Sequence, residues 1–298
     1  MIASYALRLL AQSLTCFFLV HLFTSVLTSC FTKPCIQYAE CRRAAFGRRL
    51  LVMVSFAPLF TALSAAFLLA VPSYVRLEPE TQSERIGPKL IALALLGLAV
   101  WLRPLVRVVH ALVQLNGYSA ENRIALAGFL RPRILLSRSI LDMLSRDELQ
   151  LVLQHEHAHL RAGDNWIRLF MLALPEPIPF LSLGAALRRA YRRLAEWAAD
   201  DCACASDERR RLTLAQAIVR IAQQQTDRSN CVLATPLAEH DSDLARRIER
   251  LLSHSPGVVP PPHLFPLVLV FSCIGLLVAG LHFLTLPLAH RLLESLAR

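Results

Sequence analysis

Charge is scarce in this chain. Asp, Glu, Lys and Arg make up 18% of its 298 residues, where soluble globular domains carry about a quarter. With 55% hydrophobic residues and a mean hydropathy of +0.45, that shortage excludes an ordinary soluble enzyme and directs attention to membrane spans. Paired cysteines are missing too. Of the eight cysteines (16, 30, 35, 41, 202, 204, 231 and 273) only Cys202 and Cys204 are closely spaced, and no second pair completes a zinc ribbon. Most fall in apolar stretches or on the side of the membrane where thiols stay reduced, so unpaired thiols are expected. There is no internal repeat and no low-complexity tract. No nucleic-acid reading motif accompanies the net charge of +10, so direct nucleic-acid binding is not expected.

What the chain does have is apolar runs. Four stretches meet the requirement of about 20 residues for a bilayer-spanning helix: 9–29, 50–71, 89–109 and 265–288. The third is interrupted near its end by Arg103, Pro104 and Arg107. Residues 27–30 (LTSC) resemble a lipoprotein cleavage box, but the run before them is longer than the roughly 7–15 apolar residues of a signal peptide. The loop after the first span carries Lys33, Arg42, Arg43, Arg48 and Arg49 against Glu40; the next loop carries Glu78, Glu80 and Glu84 with Arg76 and Arg85. By the positive-inside rule the first loop is cytoplasmic and the second external. The N-terminus and C-terminus are then external, the segment from about Arg103 to Pro262 is cytoplasmic, and the excess basic charge is explained by topology.

The cytoplasmic insertion is long enough for one domain with its own core. Residues 123–126 and 133–136 read as the strands of a small ribbon flanking Gly128 and Pro132. Ser145 with Glu148 forms a capping-box signature, and the helix it opens stops at Gly163. Asp164 is placed to cap a further helix beginning near Trp166. Pro175, Pro177 and Pro179 break the apolar stretch 167–187 into a bent segment against the core or the membrane surface. Helices are expected over 187–205 and 213–225, and 256–262 reads as a linker into the last span.

The chemistry concentrates in LVLQHEHAHLRAGD, residues 151–164. Residues four apart on a helix differ by about 40° around the axis and residues two apart by about 200°. His155 and His159 therefore share a face, His157 points away, and Glu156 flanks the pair. This is the H-E-x-x-H arrangement of two imidazoles on one zinc ion with a glutamate beside the bound water. A third protein ligand is needed, and two E-x-x-x-D pairs offer one: Glu196 with Asp200, or Glu239 with Asp243. The first lies in an expected helix and the second follows Pro236 in a polar turn, which favours Glu196. Tyr191, Arg193 and His240 are candidates to stabilise an oxyanion.

The runs GFLRPRILLS, LSRDELQLVLQHEHAHLRAGDN and RRLAEWAADDCA resemble the BlaR/MecR-type antirepressor metallopeptidases, the fifty-sixth metallopeptidase family, over about residues 115–255. The resemblance implies His155, His159 and Glu196 as Zn2+ ligands, Glu156 as the base and Asp200 as the carboxylate behind a ligand histidine. It also implies a winged-helix repressor as the protein substrate. The antibiotic receptors of that family carry an external penicillin-binding domain after the last span; about ten residues follow 288 here, so no β-lactam sensor is expected. Membrane proteases of the HtpX type share H-E-x-x-H and a following Gly-Asp, and suit the longer spacing to Glu239. A zinc-stabilised scaffold without activity is the remaining alternative, and an intact Glu156 argues against it. The expected fold is mainly α and multi-pass: four transmembrane helices with a cytoplasmic α+β, gluzincin-like zinc metallopeptidase domain between the third and fourth. The expected divisions are 1–110, 111–262 and 263–298. The expected setting is a bacterial inner membrane, with a protein substrate, the lipid bilayer and room for a homo-oligomer.

Overall fold

The computed structural model describes residues 2–77, 87–116, 125–127, 133–135, 138–178, 183–205, 207–227 and 237–253, with positions 291 and 295. The expected fourth span (265–288), the linker before it and most of the acidic loop lie outside the described residues. What is described is mostly helical. Three helical stretches are long and apolar enough to cross a membrane: Tyr5–Glu40, Ala44–Leu77 and Pro88–Val113.

The first two are longer than their apolar runs. Helix α1 covers Ile2–Glu40, and α2 covers Ala44–Ala65 and continues through a π-helical turn (Ala66–Ala70) into α3 (Val71–Leu77). The stretch 33–49, expected as a loop, is therefore helix except for a tight turn at 41–43. The reason lies in packing. Ala39, Ala44 and Leu51 are buried in one cluster with Met171, Leu187, Tyr191 and Leu194, so the helix ends have an apolar partner beyond the membrane stretch. Burying a leucine such as Leu51 or Leu194 fully is worth about 1.5–3 kcal/mol.

The helices approach closely where small residues allow it. A Cβ at Gly47 would run into the Ala39 carbonyl, and one at Gly97 into the Leu14 carbonyl. Helix α1 turns a polar stripe inward, with Arg8, Gln12, Thr15, His21, Ser25 and Thr32 buried, while Leu7, Leu10, Phe23 and Val26 are exposed. Polar side chains on a spanning helix face the bundle for the same reason, since lipid offers them no hydrogen bonds.

The third span is two helices, α4 (Pro88–Ala99) and α5 (Leu102–Asn116). Pro104 explains the break: it has no N–H for the Val100 carbonyl and its ring clashes there, so it is accommodated in the first turn of a new helix. Strands β1 (Ala125–Ala127) and β2 (Arg133–Leu135) pair antiparallel, with Leu126 opposite Ile134. They fall where the ribbon was expected, and they are the extent of β structure among the described residues.

Five further helices surround the site, after a short α6 (Arg138–Met143): α7 (Arg146–Ala162), α8 (Asp164–Ala173), α9 (Leu183–Cys204), α10 (Glu208–Asp227) and α11 (Leu237–Leu252). The capping box that opens α7 is formed, with the Ser145 N–H donating to Glu148 Oε2 at 2.8 Å and the Glu148 N–H to Ser145 Oγ at 3.3 Å. Gly163 ends α7 at φ +66°, a left-handed geometry that suits glycine. A second core joins Ile140, Leu151, Val152, Ala203, Leu214, Ile218 and Leu251, from α6, α7, α9, α10 and α11. Helix α9 belongs to both cores and so ties α6, α7, α10 and α11 to α1 and α2. The segment after α8 is broken as its prolines require, and the Pro175 carbonyl lies 3.1 Å from His21 Nε2 on α1.

Candidate metal centre

Helix α7 presents His155 and His159 from one face, one turn apart, both buried. Their Nε2 atoms lie 3.1 Å from each other. Helix α9 crosses them and brings Glu196, whose Oε2 lies 3.3 Å from His155 Nε2 and whose Oε1 lies 3.5 Å from His159 Nε2. The three side chains offer one donor atom each within 4.8 Å of one another, a grouping able to hold a metal ion. His157 is exposed and lies away from them, beside Arg146, Gln150, Arg161 and Cys202. Glu156 is half-buried on the same turn of α7.

The outer nitrogens decide whether such a group fits a metal. An imidazole that donates its Nδ1–H to a carboxylate leaves Nε2 as the lone-pair donor, fixed in direction. His155 Nδ1 donates to Asp200 Oδ1 at 2.9 Å, and His159 Nδ1 to Asp164 Oδ2 at 2.6 Å. Both carboxylates are buried, each with 1% of its surface exposed. Two oriented imidazoles and one carboxylate, with Glu196 a third open to solvent, make a donor set with room for a further ligand.

Asp164 was expected as a helix cap. Helix α8 instead starts at Asp164 itself, with Gly163 before it and no side-chain cap. The carboxylate serves His159 and accepts from two more donors: the Tyr191 hydroxyl at 2.6 Å and Arg48 Nη1 at 2.9 Å. Tyr191 is thus committed to Asp164 rather than free for an oxyanion. Arg193, a second oxyanion candidate, is committed to Glu40 and, at 3.2 Å, to Asp243. The side chains of Glu239 and His240 lie outside the described residues. Their backbone opens α11, so the stretch after Pro236 is helix and not a polar turn.

Arg247, on α11, belongs to the site although no motif or spacing points to it. Its Nε and Nη2 donate to the two oxygens of Asp200 at 2.7 and 2.6 Å, and its Nη1 donates to Glu196 Oε2 at 3.0 Å. A guanidinium forks across a carboxylate in this way more firmly than a single point charge. Enclosure by protein raises the cost of charge on Glu196, yet its hydrogen bonds to His155 and His159 and the Arg247 charge hold it well below the usual carboxylate range.

Helices that could cross a membrane, carrying beneath them two oriented histidines and a glutamate, define the class as membrane-associated metallopeptidase. Residues 93–251, more than half of the chain, match the BlaR1 peptidase M56 family. The chain belongs to that family, which implies a metal ion, and these three side chains could hold one. No curated protein and no solved structure matches the chain.

Proposed function

We propose that the protein is a zinc metalloendopeptidase of the bacterial inner membrane, cutting peptide bonds on the cytoplasmic side. Its role is regulated proteolysis of a transcriptional repressor, or another step of signal transduction. The observation that carries this reading is the pairing of each ligand histidine with its own buried carboxylate, an arrangement suited to catalytic zinc. Glu196 beside the histidines, at the shorter of the two ligand spacings, supports the antirepressor type over the HtpX type. The four-span topology, with the fourth span at 265–288 and both termini external, is part of the same proposal.

His155, His159 and Glu196 would hold the ion, which would polarise the scissile carbonyl and acidify water at the site. Asp200 and Asp164 keep both imidazoles in the tautomer that binds metal. Glu156 accepts the proton of the attacking water and returns it to the leaving amine. An extended substrate segment would add to the edge of the β1–β2 ribbon, which favours unfolded or flexible stretches.

The deciding variant is Glu156→Gln, which keeps shape and loses the basic carboxylate. It should fold, insert and retain metal while cleavage of itself or a co-expressed repressor falls by about 10²–10⁴. Metal content and proteolytic fragments are compared in the same membranes. Cleavage at the wild-type rate would remove Glu156 as the base. A wild type that binds zinc and yields no fragment under any inducing condition would favour the scaffold.

A further inference from the structure

Between α5, α8 and α9 lies a cleft of about 400 Å3, lined by Arg168, Arg188, Arg189 and Arg192 together with Ala111 and Asn165. Two of the four arginines meet acids. Arg188 Nη1 donates to Glu176 Oε1 at 2.9 Å, and Arg168 Nη2 lies 3.4 Å from Glu196 Oε1. Arg168 keeps a buried Nε without a hydrogen-bond partner among the described residues. Arg189 and Arg192 form no ion pair among the described residues, and Asp243, the acid whose charge reaches Arg192, is bonded by Arg193. Four guanidinium groups on one concavity repel one another unless an anion joins them, and a phosphate is the anion their forked donors match best.

The cleft and the surface around it say where that phosphate comes from, and Leu169 and Leu172 of α8 line it beside the arginines. Ala111 belongs to the last turns of the third membrane-length stretch, which ends at Val113. On α8 the rings of Trp166 and Phe170 stack at a centroid distance of 5.9 Å, and both are exposed. Along α5, Leu105, Val106, Val109 and Leu112 are exposed as well. Aromatic rings, apolar side chains and arginines at the end of a span are what the headgroup layer of a bilayer accommodates. A cytosolic acidic peptide would have no use for Leu169 and Leu172 in the cleft or for the exposed apolar side chains elsewhere on α5 and α8.

We propose that this cleft binds the phosphate of an anionic phospholipid headgroup. The proposal rests on the membrane reading above and is independent of the peptidase chemistry. Binding is measured without catalysis, so its failure and that of the proteolytic reading are distinguishable.

The experiment is native mass spectrometry of the full-length protein in mild detergent with added phosphatidylglycerol, phosphatidylcholine or inorganic phosphate. Phosphatidylglycerol should be retained in preference to phosphatidylcholine. Arg189→Gln with Arg192→Gln should weaken that retention by about thirty-fold, at the usual contribution of a basic side chain near a lipid surface. Arg189→Lys with Arg192→Lys, which keeps the charge and loses the fork, should fall between wild type and the glutamine variant. No preference for phosphatidylglycerol in the wild-type protein would overturn the proposal, whatever the variants do. So would unchanged retention in the glutamine variant. Displacement by inorganic phosphate at equal concentration would assign the cleft to a free anion, and displacement by a glutamate-rich peptide would assign it to substrate; either result overturns the lipid.

Discussion

The two histidines of the metal centre are braced by different parts of the chain. His155 rests on Asp200, which Arg247 holds, so its support comes from α9 and α11. His159 rests on Asp164, which Tyr191 of α9 and Arg48 of α2 hold. The first brace stays within the peptidase region. The second runs into a helix long and apolar enough to cross the membrane, and a parallel contact joins Arg193 of α9 to Glu40 at the end of α1. Chemically the braces are alike, an imidazole on a buried carboxylate on an arginine. They differ in what moves them: a displacement of α2 relative to α8 is felt at His159 before it is felt at His155.

The largest effect belongs to the ligands, where the comparison vanishes. Purified His155→Ala and Glu196→Ala should each lose zinc entirely while His157→Ala retains it, measured as metal per protein after dialysis. Retention by Glu196→Ala together with loss by Glu239→Ala would move the third ligand from α9 to α11. One step outward, Asp200→Ala and Asp164→Ala should each weaken zinc binding by about 10–100-fold, read by competition with a chromogenic chelator. A loss at Asp200 alone would mean that the membrane-side brace does not support the metal.

The arginines come next, and here the braces should separate. Arg247→Ala leaves Asp200 buried with His155 as its one remaining donor among the described residues, at a cost of about 3 kcal/mol. Arg48→Ala leaves Asp164 with both His159 and Tyr191, so a cost of about 1.5 kcal/mol is expected. Thermal unfolding in detergent ranks the two. The reverse order would show that the membrane helix, and not α11, is the firmer anchor of the site.

Legibility in the sequence followed range. The α7 helix was readable because its signals are local: Ser145 and Glu148 at the start, Gly163 at the stop, and a four-residue histidine spacing that a helix turns into one face. Glu196 was favoured for a similar reason, being in the stretch that read most clearly as helix. Asp164 was visible but assigned to the wrong task, since a residue just after a helix looks like a cap until a tyrosine 27 residues away is seen to bind it. Arg48 is 116 residues from Asp164 and Arg247 is 92 from His155. No periodicity links such positions. The first was obscured further because α2 begins at Ala44, before the apolar run at 50–71 does, and the second because the start of α11 looked like a turn.

The smallest expected effect tests how far the membrane-side brace extends. Glu176 lies within the proline-broken turn, between two arginines, Arg107 of α5 at 2.5 Å and Arg188 of α9 at 2.9 Å. Burial raises the cost of its charge, but these hydrogen bonds and charges outweigh that and hold its carboxyl below the usual 4.5. A depressed folded pKa means the folded state binds the proton less readily than the unfolded one. The contribution is therefore present above about pH 4.5 and is lost as pH falls through the lower folded value. At pH 7 Glu176→Gln should cost about 1 kcal/mol, below the roughly 1.5–3 kcal/mol of a charge-assisted hydrogen bond, because both arginines retain access to solvent and glutamine keeps some of the bonding. Below that window the gap between wild type and variant should close, since protonated wild type and glutamine are then equivalent. Unfolding midpoints at pH 7 and at acid pH give the comparison. Zinc content should be unchanged in the variant, because Glu176 touches none of the residues that brace the histidines. A variant that unfolds normally but loses zinc would extend the coupling from α2 to α5 and make the third apolar helix part of the support for His159.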